Sequence, residues 1–298
     1  LKESVSLKFL KNQENLEENA IRFQNEARAA GNLKHKNIAT VLDFGIIDNS
    51  TLYMVSTYID ARELKAVIKE SGPMPVAKAI AILLQIADCI NHIHQKGILH
   101  RDVKPGNILV KENDQEKLEA YLLDFGIAES INSENGWSTN SAPGTIVGSP
   151  LYMSPEQASG QKIDERSDIY SLAVVIYETL TGEVPFHSEE LVRVMAMHLS
   201  DPPTPLNQVK PGLRFPDALE EVVYKALAKS PDQRYQTMDE FAEALEEAVK
   251  QPVADPLRRP TTQSMTKPDV EPGPLALDDS LKPQYATNTG EVNIPNMS

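Results

Sequence analysis

The chain has 298 residues, of which 41% are apolar, so it is long enough to bury one large hydrophobic core. Its formal net charge of −14 argues against a general nucleic-acid-binding protein, because such proteins normally present a basic surface. The single cysteine, Cys89, excludes an internal disulfide and indicates a reducing compartment, and its apolar helical surroundings predict a buried side chain.

The first sixty residues predict a small β-sheet that carries one helix. Residues 1–10 alternate as in a strand, and apolar residues recur at helical spacing over about 16–30. Two more strands are predicted over 38–47 and 51–59, with a turn between them. Lys8 lies among the alternating apolar positions of the first strand, so its charge needs either solvent or a charged partner.

From residue 61 onward, helical spacing dominates. A helix is predicted around residues 80–90, and two short strand-like runs follow at 107–110 and 120–125. Residues 127–155 form a Ser-, Thr-, Gly- and Pro-rich loop that is longer than most connections, which suggests a function. Further helices are predicted over 167–181, 188–199, 216–229 and 238–249.

The sequence predicts neither a membrane span nor a second folded domain. The most apolar stretch, residues 169–180, is shorter than the roughly 18 apolar residues that a span needs, so it predicts a core helix. No signal-peptide pattern opens the sequence, and because it does not begin with Met, targeting cannot be judged from this end. The last 48 residues contain eight prolines and no apolar period, which predicts a disordered Pro-rich tail or linker over 251–298.

Two short motifs bring together side chains that suit phosphoryl transfer. The sequence HRDVKPGNIL presents Asp102, Lys104 and Asn107 on a loop, and LLDFG places Asp124 after a strand. One carboxylate can orient a hydroxyl, an amide and a second carboxylate can hold Mg²⁺, and a lysine can neutralise charge on the phosphoryl oxygens.

Three motifs in order carry a family resemblance. HRDVKPGN, DFG at 124–126 and SPE at 154–156 match the protein-kinase signature H-R-D-L-x-x-x-N, D-F-G and A-P-E. The chain therefore resembles the eukaryotic-type protein kinases, most closely their bacterial Ser/Thr branch, from its first residue to about residue 250. The resemblance implies an α+β, two-lobed fold, with a small, mostly antiparallel β lobe that carries one helix and a larger, mainly helical lobe. It makes 1–250 the catalytic domain.

The same resemblance assigns roles around ATP and Mg²⁺. It makes Asp102 the residue that orients the substrate hydroxyl, with Lys104 stabilising phosphate charge. Asn107 and Asp124 become the metal ligands as well as catalytic residues. Lys8 becomes the lysine that contacts the α- and β-phosphates; its expected partner is Glu26 on the first helix.

Matching TLYMVSTYID to the family places the adenine site at the end of the third predicted strand. Thr57 and Ile59 would form the main-chain hydrogen bonds to adenine, and Leu109 would lie beneath the base. Ser56 takes the gatekeeper position, where a larger apolar residue is usual. A shift of one residue in this register is the alternative for Ser56.

Regulatory and scaffold positions transfer in the same way. Arg101, beside Asp102, is typical of kinases that are switched by a phosphate on the activation loop. Thr145 is the first candidate for that phosphate. Ser149 stands where the family usually has Thr and would hydrogen-bond the catalytic loop. Three further residues are expected to have structural roles. Asp168 would hold the backbone of the catalytic loop, and Glu156 and Arg234 would form an ion pair.

One part of the family pattern is absent from the sequence as it stands. Family members carry G-x-G-x-x-G on the two strands before the lysine, and the seven residues before Lys8 contain no glycine. We therefore expect this chain to begin within the strand that carries Lys8, without the first two strands and the Gly-rich loop.

Two isolated motifs receive ordinary interpretations. Asp43-Phe44-Gly45 repeats the DFG pattern without a preceding Asp/Asn loop, so Asp43 is predicted to be a plain strand-end residue. His92, His94 and His100 could suggest a metal site. Residues two apart on a helix point to opposite sides, however, so zinc is not expected.

Two functions of different class follow. The first is a serine/threonine protein kinase that uses ATP and Mg²⁺ to phosphorylate Ser/Thr hydroxyls of proteins, including its own activation loop through self-association. It would be cytoplasmic, with a membrane anchor beyond Ser298 left open. The second is a pseudokinase or interaction module that binds nucleotide or partners without transfer. The intact Asp102, Asn107 and Asp124 favour the first, and the missing glycine loop alone favours the second.

Overall fold

The structure is a computed structural model, and it divides the chain into two units, Leu1–Asp255 and Pro256–Ser298. It describes residues 4–11, 27–28, 31, 33–48, 51–112, 117–123 and 150–253. The second unit, and the proposed tail beyond residue 253, therefore lie outside the described residues.

A three-stranded antiparallel sheet forms the first part of the fold. Its strands are β1 (Val5–Lys11), β2 (Val41–Ile47) and β3 (Thr51–Thr57), in the spatial order β1-β3-β2. In the ladder Lys8 lies opposite Met54. Residues that face each other across a ladder share one side of the sheet, so Lys8 lies on the side that buries Met54.

The opposite side of this sheet is partly apolar and exposed. Val5, Leu7 and Phe9 on β1 are each about half exposed. The Tyr53 ring crosses Gly45, where an added Cβ would lie 2.7 Å from a ring carbon, so a larger residue there would have to displace the ring.

The prediction that Asp43 ends a strand was wrong. Asp43 lies inside β2, at a shift in register that follows Val41, and its Oδ2 accepts a 3.1 Å hydrogen bond from the Tyr53 hydroxyl. The bulge lets the strand continue through Asp43-Phe44-Gly45, so this DFG sequence has a structural role.

A second antiparallel sheet connects to the first through the chain before β2. It consists of β4 (Arg62–Glu63), β5 (Ile108–Glu112) and β6 (Leu118–Leu122) in that order. The amide of Leu122 donates to the carbonyl of Asn37 at 2.8 Å, and the amide of Ala39 donates to the carbonyl of Leu122 at 3.1 Å. These bonds fix the end of β6.

Eight helices in the described ranges build the larger part of the fold. They are α1 (Leu64–Ser71), α2 (Val76–His94), α3 (Pro155–Ala158), α4 (Glu165–Thr181), α5 (Leu191–Ser200), α6 (Leu206–Val209), α7 (Asp217–Ala226) and α8 (Met238–Ala248). Helix α4 lies at the centre, with 14 of its 17 residues buried. The α+β architecture, with a small antiparallel β part and a larger helical part, is as predicted.

The predicted helices of the second half appear within a few residues of their expected bounds, whereas α1, α3 and α6 were not predicted. These three are short, so their sequences show too few turns for a helical period. Of the helix predicted over 16–30, the structure describes Ala27 and Arg28, which are helical. The rest of that helix lies outside the described residues.

Helix α2 corrects the expectation about apolar segments. Among the described residues it alone is long and apolar enough to cross a membrane, with 19 residues and a mean hydropathy of 1.5. Its apolar side chains, such as Leu83, Ile86 and Ile90, are fully buried in the core of this unit. Burial among neighbouring elements explains the composition of α2, as in the core helix of a globular domain.

Candidate active site

The loop between α2 and β5 places three of the predicted catalytic residues in direct contact. The Lys104 ammonium lies 2.5 Å from Oδ2 of Asp102. The Asn107 side-chain amide donates two 2.8 Å hydrogen bonds, one to the same Oδ2 and one to the main-chain carbonyl of Asp102. In the described part of the chain Oδ1 of Asp102 accepts no hydrogen bond, so this oxygen remains available to a substrate hydroxyl.

Asp168, near the start of α4, holds the backbone of this loop as predicted. Its Oδ1 accepts from the amide of Arg101 and its Oδ2 from the amide of His100, both at 2.8 Å. Nε2 of His94 lies 2.8 Å from the same Oδ2. Burial raises the pKa of the Asp168 carboxyl, but the hydrogen bond and charge of His94 outweigh it, so the pKa is lowered and the carboxylate form is favoured.

Arg101 has an unusual backbone conformation. Its φ is +66°, in the left-handed region that residues with a side chain rarely adopt. The carbonyl of Arg101 accepts a 2.9 Å hydrogen bond from the side-chain amide of Gln157. The residue immediately before Asp102 is thus held through both its amide and its carbonyl.

The end of β6 lies beside Asn107. The amide of Leu123 donates a 2.8 Å hydrogen bond to the Asn107 carbonyl, and Nε2 of His100 lies 3.1 Å from the Leu123 carbonyl. The next residue in the chain is Asp124. Asp124, Glu26, Thr145 and Ser149 all lie outside the described residues, so the roles assigned to them stay predictions.

The described part of this loop suits a divalent metal in one respect. Both amide hydrogens of Asn107 are used by Asp102, which leaves Oδ1 of Asn107 as its ligand atom. No group of three His, Cys, Asp or Glu side chains within the described ranges could hold a metal. The fit to Mg²⁺ therefore rests on the side-chain oxygen of Asn107, a hard donor of the kind that Mg²⁺ binds.

Three of the residues predicted to bind ATP lie on different strands. Lys8 is half-buried on β1, Thr57 ends β3, and Leu109 is half-buried on β5 opposite Tyr121. The Thr57 amide already donates to the Thr40 carbonyl at 3.0 Å. The amide of Ile59 donates no hydrogen bond to another described residue. A contact with adenine would require an amide that is available in this way.

Glu156 and Arg234 form a buried ion pair, as predicted. Nη1 and Nη2 of Arg234 lie 2.7 and 2.8 Å from the two carboxylate oxygens of Glu156, and the side chains are 0% and 4% exposed. Burial alone would raise the pKa of Glu156. The charge and hydrogen bonds of Arg234, together with the Ser167 hydroxyl, lower the pKa by more than burial raises it, so the pKa lies below its ordinary value.

The sequence pattern assigned no role to Gln157, and it marked Ser154 only as part of the SPE motif. Ser154 caps α3: its hydroxyl accepts from the Gln157 amide at 3.2 Å, while Oε1 of Gln157 accepts from the Ser154 amide at 2.9 Å. The pattern S-x-x-Q is a capping-box signal that would have predicted this helix start. Nothing in the sequence marks the Arg101 carbonyl as the other partner of Gln157.

His92 and Cys89, both on α2, share one neighbour, His35, whose Nδ1 lies 3.3 Å from the Cys89 sulfur. The rings of His92 and His35 lie 5.4 Å apart, whereas His94 and His100 contact the catalytic loop and its neighbours. Cys89 is fully buried as predicted, its thiol donates to the Asn37 carbonyl at 3.2 Å, and burial raises its pKa. A thiol held in this form packs as a small apolar group.

Comparison with known proteins gives one family and several named relatives. The sequence matches the protein kinase domain over residues 2–252. A probable serine/threonine-protein kinase of Clostridium perfringens is 41% identical over 252 residues, which cover 83% of this chain and 35% of that protein.

Two mycobacterial relatives are similar over comparable lengths. Serine/threonine-protein kinase PknD of Mycobacterium tuberculosis is 39% identical over 248 residues, covering 82% of this chain and 36% of the relative. Serine/threonine-protein kinase PknH of Mycobacterium bovis is 34% identical over 286 residues, covering 91% and 46%. The chain spans between about a third and a half of the length of these curated relatives.

Proposed function

Since this chain belongs to the protein kinase domain family, we propose that it is the catalytic domain of a serine/threonine protein kinase. The observation that carries the proposal is the contact set around Asp102, where Lys104 and Asn107 bind Oδ2 and leave Oδ1 open. Named relatives at 34–41% identity are serine/threonine-protein kinases, which favours phosphoryl transfer over the pseudokinase alternative.

Asp102 would act on the substrate hydroxyl. Its Oδ1 accepts the hydroxyl hydrogen and orients the oxygen toward the γ-phosphorus of ATP; as the new P–O bond forms, the bond to the β,γ-bridging oxygen breaks and ADP leaves. Lys104 neutralises charge that develops on the transferred phosphoryl oxygens. Because Asn107 and Lys104 hold Asp102 in place before substrate arrives, the protein contributes mainly by positioning.

Protein kinases use ATP and a divalent metal. The residues that would hold Mg²⁺ here are Asn107, through Oδ1, and Asp124, which follows the strand end bonded to Asn107. When bound, Mg²⁺ would neutralise negative charge on the ATP phosphates. Lys8, paired with Glu26, would contact the α- and β-phosphates.

Adenine would bind at the end of β3. The Ile59 amide and the main chain of Thr57 would supply its hydrogen bonds, and Leu109 would lie beneath the base. Ser56 lies on the same side of the sheet as Lys8, as the gatekeeper role requires. The main-chain polar groups thus provide specificity, and the side chains of the sheet provide the apolar surface.

The substrates would be Ser/Thr hydroxyls of proteins, including residues of the chain's own 127–155 segment after self-association. Lys104, two residues after Asp102, supports the Ser/Thr class by resemblance. We place the domain in the cytoplasm, where ATP and a reducing environment fit the single buried thiol of Cys89.

The test is a transfer assay on the full-length protein with γ-labelled ATP and a generic basic protein. Label on phosphoserine and phosphothreonine is expected. Asp102→Asn should lower transfer by about 10²–10⁴-fold, because it removes the carboxylate that accepts the hydroxyl hydrogen. Asp48→Asn, an exposed change of equal charge at the β2–β3 turn, is the control. No transfer by the wild type, or equal transfer by Asp102→Asn, would refute the proposal.

A further inference from the structure

Gln157 joins two segments that are 56 residues apart in the sequence. Its side-chain nitrogen donates to the Arg101 carbonyl at 2.9 Å, and its side-chain oxygen accepts from the Ser154 amide at 2.9 Å. The amide is therefore used at both ends, one in the cap of α3 and the other on the catalytic loop. Because the two ends have opposite polarity, the side chain has one orientation that satisfies both.

The acceptor of this bond is the strained residue of the loop. Arg101 has a φ of +66°, and such a conformation persists only where the surroundings over-determine it. On the amide side Arg101 is held by Oδ1 of Asp168, on the rigid helix α4. On the carbonyl side the bond recorded in the described chain is the one from Gln157. The Gln157 bond therefore helps to fix the orientation of the peptide that leads into Asp102.

We infer that Gln157 is a positioning residue for phosphoryl transfer, which holds Arg101 in its left-handed conformation and thereby aims Asp102. This inference rests on the proposed kinase function. The helix cap alone does not explain the Gln157–Arg101 bond, since the cap uses the backbone amide and side-chain oxygen of Gln157 and leaves its nitrogen free for the loop.

The chain offers matched variants that separate the two roles. Gln157→Glu keeps the side-chain oxygen for the cap but replaces the donor with a second acceptor, which repels the Arg101 carbonyl. Ser154→Ala removes the hydroxyl of the cap and leaves the Gln157–Arg101 bond possible. Gln161→Glu adds the same charge four residues later, at an exposed position.

The first measurement is hydrogen exchange of the catalytic loop in the full-length protein, which needs no activity. The amides of His100 and Arg101 should exchange about tenfold faster in Gln157→Glu than in the wild type, because the loop opens locally. Gln161→Glu and Ser154→Ala should exchange at the wild-type rate at these two amides. Equal protection in Gln157→Glu and wild type would overturn the inference, whatever the outcome of the transfer assay.

The second measurement is steady-state transfer. Gln157→Glu should lower kcat by about tenfold or more, since small displacements of a catalytic group are costly, while KM for ATP changes by less than about twofold. If Gln157 had a purely structural role, its replacement would not lower kcat while leaving KM for ATP nearly unchanged. Wild-type inactivity here would refute the proposed function, and normal kcat in Gln157→Glu would refute the positioning role.

A double-mutant cycle identifies Arg101 as the intermediary. Glycine adopts positive φ without strain, so Arg101→Gly needs no carbonyl tie to hold the turn. Gln157→Ala should therefore lower kcat strongly in the wild type but by less than about twofold in Arg101→Gly. Equal fold-losses in both backgrounds would show that Gln157 does not act through the Arg101 backbone.

Discussion

The Asn107 side-chain amide donates one of its hydrogens to Oδ2 of Asp102 and the other to the Asp102 carbonyl, and both hydrogen bonds are 2.8 Å long. One side chain therefore fixes both the carboxylate and the backbone of the same residue. Since both hydrogens are used, the amide cannot flip without losing two bonds. Its oxygen takes part in neither bond, so it can bind a ligand.

Replacing Asn107 with Ala should impair both functions of that amide. We expect kcat to fall by about 10²-fold, because Asp102 loses two of its positioning bonds. We also expect the Mg²⁺ concentration for half-maximal transfer to rise, because a ligand oxygen is lost. The measurement is a Mg²⁺ titration of transfer at saturating ATP.

The control for Asn107→Ala is Asn91→Ala, which removes an amide on α2 that donates an exposed hydrogen bond of 3.0 Å to Asp239 of α8. It should leave the Mg²⁺ dependence unchanged. If Asn107→Ala required no more Mg²⁺ than the wild type, the amide oxygen would not be a metal ligand.

The Glu156–Arg234 pair should be worth much more than a surface pair. Arg234→Ala should lower the free energy of unfolding by about 3–5 kcal/mol, because a buried carboxylate loses its partner. Arg193→Ala removes an exposed pair with Asp201 and should cost less than about 1 kcal/mol. Urea unfolding measures both.

The same pair predicts a coupling. With Glu156→Leu and Arg234→Met combined, neither charge is left alone, so the double variant should be more stable than the sum of the single losses by about 1–3 kcal/mol. Strict additivity would mean that the two side chains contribute independently.

Ser56 should control access behind the adenine. Its side chain is small, so bulky ATP-competitive compounds should bind the wild type and lose affinity in Ser56→Met, while KM for ATP stays within a few-fold. Val55→Met is the control, because the neighbouring residue faces the other side of β3. Inhibition curves for the three proteins decide the register, and equal inhibition of wild type and Ser56→Met would place the gatekeeper elsewhere.

His198 makes stability depend on pH. It is fully buried against Tyr170 and Phe186, and burial, with the nearby charge of Lys229, lowers its pKa to about 3. The unfolded chain binds that proton near the ordinary pKa of 6.5. The stabilisation is therefore complete above pH 6.5 and is lost as pH falls from 6.5 toward 3.

His198→Gln should reduce this loss. The glutamine can still accept from the Tyr170 hydroxyl but binds no proton, so the slope of unfolding free energy against pH should decrease by up to about 1.4 kcal/mol per unit below pH 6.5. His187→Gln, at an exposed position, should retain the wild-type slope. Chemical unfolding at several pH values tests this, and parallel slopes for His198→Gln and wild type would contradict a buried neutral imidazole.

The activation-loop hypothesis leads to a mapping experiment. Arg101 beside Asp102 implies that phosphate on the 127–155 segment orders the site through a charge-assisted pair. Active protein should carry phosphate on Thr145 first, with Ser149 unmodified, and Thr145→Ala should lose most of its activity. Peptide mass mapping that finds active protein without phosphate in this segment would count against the idea.

Local and long-range parts of the site differ in how far the sequence could predict them. Asp102, Lys104 and Asn107 lie within six residues, so one loop brings them together and a short motif reports them. The Glu156–Arg234 pair is separated by 78 positions and was predicted through resemblance alone. The Gln157–Arg101 bond ends on a main-chain carbonyl, which every residue has, so no residue type at position 101 could announce it.

The wrong expectation about Asp43 has a similar origin. The alternation of side chains gave no sign of the bulge after Val41, because an inserted residue shifts the register without changing composition. Lys8, by contrast, was expected among apolar neighbours, and the ladder places it opposite Met54 on the buried side.

Three consecutive residues in the first turn of α4 each hold a distant segment. The Arg166 carbonyl accepts from Arg234 at 3.0 Å, the Ser167 hydroxyl lies 2.5 Å from Glu156, and Asp168 carries the catalytic loop. These segments therefore share one attachment point in α4, of which 14 of 17 residues are buried. On heating, the loop should keep its shape until that turn gives way, so catalysis should end together with the melting of the whole domain. The rate of thermal inactivation should then follow the steep temperature dependence of global unfolding.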